Sequence, residues 1–225
     1  MTSIDHDVLI VGYGPVGQAL ACLLGEQGHD VAVVERFDAL YGLPRAIRLD
    51  GEAMRLIQRF GLVDQIRDEI AAPESYAWFG ADGDLIVDIP IGPSPAGWHS
   101  GYTFYQPALE SALDGLARTR ARVELGWAAE NLVDHGDHVD VTIRRGAGVD
   151  GGVWQPTDET RVVRARYVVG ADGANSFVRG ACGIDWVDLG FQEPWLVIDV
   201  RPNDMDEFEH LPSPAQYCDP KRPRV

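Results

Sequence analysis

The stretch Asp7-Val8-Leu9-Ile10-Val11-Gly12-Tyr13-Gly14-Pro15-Val16-Gly17 decides the fold of this chain. Asp7 to Val11 is a short apolar run that reads as a strand, and Gly12, Gly14 and Gly17 follow it in G-x-G-x-x-G spacing. The periodicity predicts a helix from Pro15 to Gln27 and a second strand, Val31 to Val34, that ends at Glu35. Each part has a task in holding a dinucleotide. Gly12 permits the tight turn, Gly14 lets the backbone approach a pyrophosphate, and Gly17 lets helix and strand pack closely. The helix N-terminus offers unpaired N–H groups and a partial positive charge, worth ~0.3–2 kcal/mol toward an anion. Glu35, roughly 20 residues past the first glycine, can accept hydrogen bonds from both ribose hydroxyls. It would repel a 2′-phosphate, which favours FAD or NAD over NADP. A βαβ unit without a ligand is the competing reading of a lone glycine motif. The strand before it, the helix after it and the acid beyond favour a nucleotide site.

Composition narrows the class. A chain of 225 residues can bury a sizeable core, as one large domain or two small ones. The formal net charge of -16 repels nucleic acid and anionic membrane surfaces, so neither is an expected partner. No run of 18 or more apolar residues is present, and no transmembrane helix is expected. The first apolar run is a strand without a basic leader, so no signal peptide is read. Cys22, Cys182 and Cys218 are far apart and odd in number, which suggests buried free thiols in a reducing cytoplasm.

Further along, Phe37 to Arg45 reads as a loop broken by Gly42 and Pro44. Leu49 to Phe60 carries a helical face at Ala53, Leu56, Ile57 and Phe60, stopped by Gly61, and a shorter helix is expected over Leu62 to Ile70. Ser75 to Ile89 switches to strand character around the hairpin signal Asp82-Gly83. A strand from Tyr102 to Tyr105 leads into a helix from Pro107 to about Arg118. Arg122 to Leu125, Ala128 to Val133 and His138 to Ile143 read as strands. Arg144 to Pro156 reads as a loose hairpin tip, Arg161 to Gly170 as a returning strand, and Trp195 to Val200 as the clearest late strand. His135 and His138 have near-ligand spacing but no visible further ligand, so no metal is expected.

A second motif closes the returning strand. In Tyr167-Val168-Val169-Gly170-Ala171-Asp172-Gly173-Ala174-Asn175-Ser176-Phe177-Val178-Arg179, Asp172 sits where a parallel strand opens toward ligand. Gly173 supplies a turn, and Asn175 or Ser176 can cap the next helix. The Asp172 carboxylate can bind a sugar hydroxyl or hold a backbone turn, and the motif alone does not choose.

Together, the glycine motif with Glu35-Arg36 and the Ala171-to-Arg179 segment resemble the single-component FAD-dependent aromatic hydroxylases, the group A flavoprotein monooxygenases related to p-hydroxybenzoate hydroxylase. Pro44-Arg45-Ala46-Ile47, Asp50-Gly51-Glu52-Ala53-Met54-Arg55, Pro194 to Val200 and Cys218-Asp219-Pro220-Lys221-Arg222-Pro223 resemble the 3-(3-hydroxyphenyl)propionate hydroxylase branch. The resemblance implies an α/β fold: a FAD-binding, Rossmann-like three-layer domain with the start of a β-rich substrate domain. The FAD domain would take 1–72 and 98–184, and the partial substrate domain 73–97 and 185–225. FAD would lie with its pyrophosphate at Gly12, Gly14, Pro15, Val16 and Gly17 and its ribose on Glu35, with Arg36 beside the adenine. Arg45 matches an arginine near the flavin, Gln106 a glutamine on the flavin chain, and Asp172-Gly173 the shared FAD and NAD(P)H motif.

The implied reaction hydroxylates a phenol with O2, with NADH or NADPH as transient reductant and a C4a-hydroperoxyflavin as the oxygen donor. No protein nucleophile or metal is required, and catalytic residues are not identified by the motifs. The resemblance leaves room for a homo-oligomer. The family's later Gly-Asp motif, usually followed by Ala-Ala-His, does not occur in this sequence. The chain is therefore expected to be the N-terminal part of such an enzyme. A different FAD or NAD reductase or dehydrogenase on the same fold, or a non-catalytic FAD-binding remnant, are the alternatives.

Overall fold

The computed structural model describes residues 3–149, 153–191, 194, 196, 198, 200, 203–204 and 214–221. The chain opens with β1 (His6–Val11), α1 (Pro15–Glu26) and β2 (Val31–Glu35). Next come β3 (Arg48–Leu49), α2 (Gly51–Arg59), α3 (Val63–Ile66) with a 3-10 turn at Arg67–Glu69, and β4 (Ile70–Ala71). The hairpin β5 (Ser75–Gly80) and β6 (Leu85–Pro90) leads to β7 (Tyr102–Phe104) and α4 (Gln106–Arg120). Finally, β8 (Arg122–Leu125), β9 (Trp127–Asp134), β10 (Val139–Val149) and β11 (Val153–Gly170) precede α5 (Phe177–Ala181) and β12 (Ala215–Cys218).

By contacts the chain divides into two compact units, Met1–Arg45 with Tyr105–Trp186, and Ala46–Phe104 with Val187–Val225. The first is built on a six-stranded sheet in the order β8-β2-β1-β11-β10-β9. Its β8, β2, β1 and β11 run parallel, while β10 and β9 are added antiparallel. Parallel neighbours need a crossover, and α1 supplies it between β1 and β2. Side chains alternate along a strand, so β1 and β2 feed two cores. Leu9, Val11, Ala32 and Val34 join Trp127, Val141, Ile143, Val163, Ala165 and Val178 in one cluster. Val8, Ile10, Val31 and Val33 are also buried, and α1 packs on β1, β2 and α4, burying Ala21, Cys22, Leu113 and Ala117. Burial pushes the Cys22 thiol up to about 11, so it stays neutral and donates weakly to the Leu113 carbonyl.

In the second unit, β12 pairs parallel to β5, and β5 pairs antiparallel to β6 through a turn with Gly83 at φ +85°. A second three-stranded sheet has the order β3-β7-β4. The Asp50 carboxylate accepts from the Ala53 amide at 2.8 Å and caps α2, whose Met54 and Ile57 are buried together with Phe60. Gly61 at φ +72° ends that turn as the left-handed residue a helix C-terminus favours.

Several expectations are corrected. The segment expected as a loose tip, Arg144 to Pro156, is strand over Arg144–Val149 and from Val153 on: β10 and β11 pair as far as Val149↔Val153, with a register shift between Arg144 and Gly146. Ladder hydrogen bonds supply order there that the polar, glycine-rich sequence does not advertise. The helix expected over Leu62 to Ile70 ends at Ile66, tightens to a 3-10 turn, and gives Ile70 to β4. Cys182 is exposed and Cys218 half-buried, so only Cys22 is a buried thiol. Within the expected strand Trp195 to Val200, residues Trp195, Val197 and Asp199 lie outside the described residues, as do Arg222 and Pro223. No helix among the described residues is long and apolar enough to cross a membrane.

Candidate cofactor site

The C-terminal ends of β1, β2 and β11 meet the N-terminus of α1 around a cleft of about 320 Å³. Val11 to Val16, Val34 to Phe37, Arg45, Glu110, Trp127 to Ala129, Ala171 to Gly173 and Phe177 contribute to its wall. This is the end of a parallel sheet where strand order and crossover leave a crevice for ligand.

The three motif glycines occupy three different environments. Gly12 has φ +102°, and a Cβ there would stand 2.4 Å from the Ala171 carbonyl oxygen. Gly17 lies in the first turn of α1, where a Cβ would stand 2.1 Å from the Gly12 oxygen. Gly14, the N-cap of α1, lines the cleft, and a Cβ there would have nothing within 4 Å. No side chain caps α1 and its first turn holds no acid. A helix start with open amides, and space in front of its first glycine, fits a pyrophosphate.

Glu35 sits at the end of β2 with both carboxylate oxygens engaged. Oε2 accepts from the Tyr13 amide at 2.8 Å and Oε1 from the Phe37 amide at 3.1 Å. A carboxylate has about four acceptor positions, so two remain for ribose hydroxyls. Glu35 therefore holds the glycine turn in addition to facing the cleft. Tyr13, unremarked in the sequence, is 3% exposed, and its hydroxyl donates to Asp114 at 2.9 Å. Burial first, then that carboxylate, raises the phenol and keeps it a donor.

Arg36 lies with its guanidinium 4.9 Å from the centre of the Phe37 ring, and both line the cleft. Arg45 is exposed on the cleft rim, stacked 3.8 Å over the Tyr41 ring. Gln106 is buried and does not line the cleft. Its Oε1 accepts from the Arg45 amide at 2.9 Å and its Nε2 donates to Glu110 at 2.5 Å. Gln106 thus fixes the backbone that carries Arg45, while Glu110, one helical turn later, reaches the wall. The i, i+4 spacing of Gln106 and Glu110 is the sequence signal for that pair.

Of the two roles open to Asp172, the structure displays the backbone one. Oδ1 accepts from the Ser176 hydroxyl at 2.5 Å and Oδ2 from the Val178 amide at 3.1 Å. Ser176 in turn caps α5, accepting from the Arg179 amide at 2.9 Å. Asp172 and Gly173, at φ +77°, still line the cleft, so the turn is presented to it as a rigid edge. Pro15 and Val16 line the same wall, with Val16 exposed to it.

A family model described as FAD binding domain matches residues 5–216. A probable NADH-specific resorcinol 4-hydroxylase of Rhodococcus jostii (strain RHA1) is 42% identical over 96% of this chain and 39% of its own length. A 3-(3-hydroxy-phenyl)propionate/3-hydroxycinnamic acid hydroxylase of Comamonas testosteroni is 33% identical over 98% of this chain and 36% of its own. Among solved structures, p-nitrophenol 4-monooxygenase from Pseudomonas putida DLL-E4 superposes with a TM-score of 0.67 at 25% identity, over 81% of this chain and 44% of that one. The chain thus spans under half the length of these relatives.

Proposed function

We propose that this chain, which belongs to the FAD binding domain family, holds the adenosine and pyrophosphate end of FAD for an NADH- and O2-dependent hydroxylation of a phenol. The observation that carries this is the cradle itself: an open Gly14 at an uncapped helix start, flanked by Glu35 and the Asp172 turn. When bound, the flavin supplies the redox chemistry and oxygen activation.

In this reading the residues of the chain bind and orient. Gly14 and the first turn of α1 receive the pyrophosphate, and Glu35 accepts from the ribose hydroxyls. Arg36 and Phe37 flank the adenine side, and Arg45, held by Gln106, offers a cation at the rim. The reaction balances as phenol, NADH, H⁺ and O2 giving the diol, NAD⁺ and water. NADH as reductant is supported by the name of the Rhodococcus jostii relative. Resorcinol and 3-(3-hydroxyphenyl)propionate, named in two relatives, are both phenols with a meta substituent, which makes a meta-substituted phenol the proposed substrate class. The 73–97 and 185–225 segments are assigned to the substrate side in the same proposal, and the cytoplasm is the proposed location.

The test has two arms. The purified chain mixed with FAD is expected to retain it through gel filtration, giving the visible flavin absorption bands. The full-length protein is expected to oxidise NADH faster with resorcinol present, with O2 uptake and a hydroxylated product. NADH oxidation without oxygen insertion would assign the protein to a reductase instead.

Glu35→Ala is expected to weaken FAD by about 1.5–3 kcal/mol, the range for hydrogen bonds to a charged group. It should also lower stability by a similar amount, because the Tyr13 and Phe37 amides lose their acceptor. Flavin titration and urea unfolding of the same variant read the two effects separately. Unchanged affinity in a destabilised variant would confine Glu35 to the turn.

A further inference from the structure

The turn between β9 and β10 brings together side chains that the flavin cleft does not use. Asp134-His135-Gly136-Asp137-His138-Val139-Asp140 reverses the chain in four residues. Gly136, at φ +88°, donates its amide to Asp134 at 2.7 Å, and the His135 amide donates to the His138 carbonyl at 2.9 Å. That closure folds the two imidazoles onto each other, with centroids 4.6 Å apart and planes 16° from parallel. Asp140, in β10, follows His138 by two residues.

His135 Nε2 lies 3.6 Å from Asp140 Oδ2, and His138 Nε2 lies 3.6 Å from Asp140 Oδ1. All three donor atoms fall within 4.8 Å of one another. Tetrahedral Zn²⁺ with bonds of about 2.1 Å sets its donors roughly 3.4 Å apart, close to the separation of His135 Nε2 from Asp140 Oδ2, and the stacked rings turn apart for both Nε2 lone pairs to meet one cation. We propose that His135, His138 and Asp140 form a binding site for a divalent metal of the zinc class.

Two surrounding contacts have the form such a site needs. Asp137 Oδ1 lies 2.7 Å from His138 Nδ1, which leaves Nε2 as the metal-facing lone pair. A carboxylate on the far nitrogen of a ligating histidine fixes its tautomer and orientation. Arg164, paired with Asp140 across β10 and β11, lies 3.1 Å from Oδ1. Its charge opposes a cation, but it engages one carboxylate oxygen and leaves Oδ2, beside His135, to the metal. Two imidazoles and a carboxylate suit Zn²⁺, Co²⁺, Ni²⁺ or Cu²⁺ and not Ca²⁺ or Mg²⁺, which take oxygen sets. A metal here would staple the end of β9 to the start of β10.

Metal-stripped chain titrated with ZnCl2 by calorimetry should bind one equivalent, and CoCl2 should give the visible bands of a tetrahedral Co²⁺ site. His135→Ala, His138→Ala and Asp140→Asn should each weaken Zn²⁺ about tenfold or more, and Asp137→Asn about tenfold. The double variant His135→Ala/His138→Ala should lose it, while His29→Ala, on an exposed position elsewhere, should not. Zn²⁺ should raise the melting temperature of the parent chain but not of the double variant. His135 sits in an exposed turn, so circular dichroism of its variant without metal should match the parent. Absence of saturable binding, which would leave only a histidine–aspartate ion-pair cluster, overturns the proposal. So does binding that survives in the double variant, which would assign it to other groups such as Cys182.

Discussion

Gly14→Val is expected to leave the chain folded and to remove most of its affinity for FAD. Gly14 has φ −72° and ψ −176°, extended backbone that valine adopts readily, and a Cβ there touches nothing within 4 Å. The fold therefore does not require glycine at this position. Replacing glycine by valine where α1 begins should cost the helix about 1 kcal/mol. In a domain of this size that lowers the melting temperature by roughly 2–4 °C. The new isopropyl group, however, fills the space through which a pyrophosphate reaches the helix amides. Hydrogen bonds to a charged group are worth ~1.5–3 kcal/mol and the helix-end field ~0.3–2 kcal/mol. Losing both amounts to about 2–5 kcal/mol. At ~1.4 kcal/mol per tenfold, affinity falls between roughly 30-fold and several thousandfold. A thermal melt and a flavin titration on the same preparation check the pair of outcomes. A variant that melts normally and remains yellow would move the pyrophosphate away from Gly14.

The glycine turn was legible from sequence because its geometry is local: strand, turn and helix follow within twenty residues, and each glycine position has its own steric reason. The same holds for α2, where Asp50 and Gly61 mark the ends, although Met54, its most buried residue, escapes a face drawn through Ala53, Leu56, Ile57 and Phe60. What depended on partners far along the chain was not legible. Gly146 and Ala147 are strand only because Pro156 and Gln155 pair with them. Gln106 stands just before the expected helix, and only the fold shows that its amide is taken up by Arg45 and Glu110. Glu35 carries both kinds of information. Its spacing announces a ribose ligand, while its grip on Tyr13 and Phe37 follows from β1 and β2 ending side by side. The histidine turn shows the same limit. His135 and His138 lie three residues apart in sequence, but only the closed turn makes Asp140 the neighbour of both.

Gly12→Ala and Gly17→Ala are expected to do the opposite of Gly14→Val: to unfold the site before any ligand is tested. The Gly12 amide donates to Val34 at 2.8 Å and the Ala171 amide donates to Val11 at 2.7 Å, so the ends of β1, β2 and β11 are tied together around this residue. A methyl on Gly12 would lie 2.4, 2.6 and 2.8 Å from backbone atoms of Ala171 and Asp172, and φ +102° already excludes an unstrained alanine. The left-handed backbone costs about 1–2 kcal/mol and forced overpacking about 1–3 kcal/mol, together ~2–5 kcal/mol. At Gly17 the methyl meets the Gly12 oxygen at 2.1 Å. The start of α1 must then lift from β1, at about 2–4 kcal/mol. Domains of this kind are stable by only about 5–15 kcal/mol, so either change removes a large fraction of the total. Urea unfolding of the apo chain should show both midpoints well below the parent, with Gly12→Ala the lower. A parent-like midpoint for either would mean that the backbone at this turn yields, and that the close approach of Gly12, Gly17 and Ala171 is not what holds β1, α1 and β11 in register.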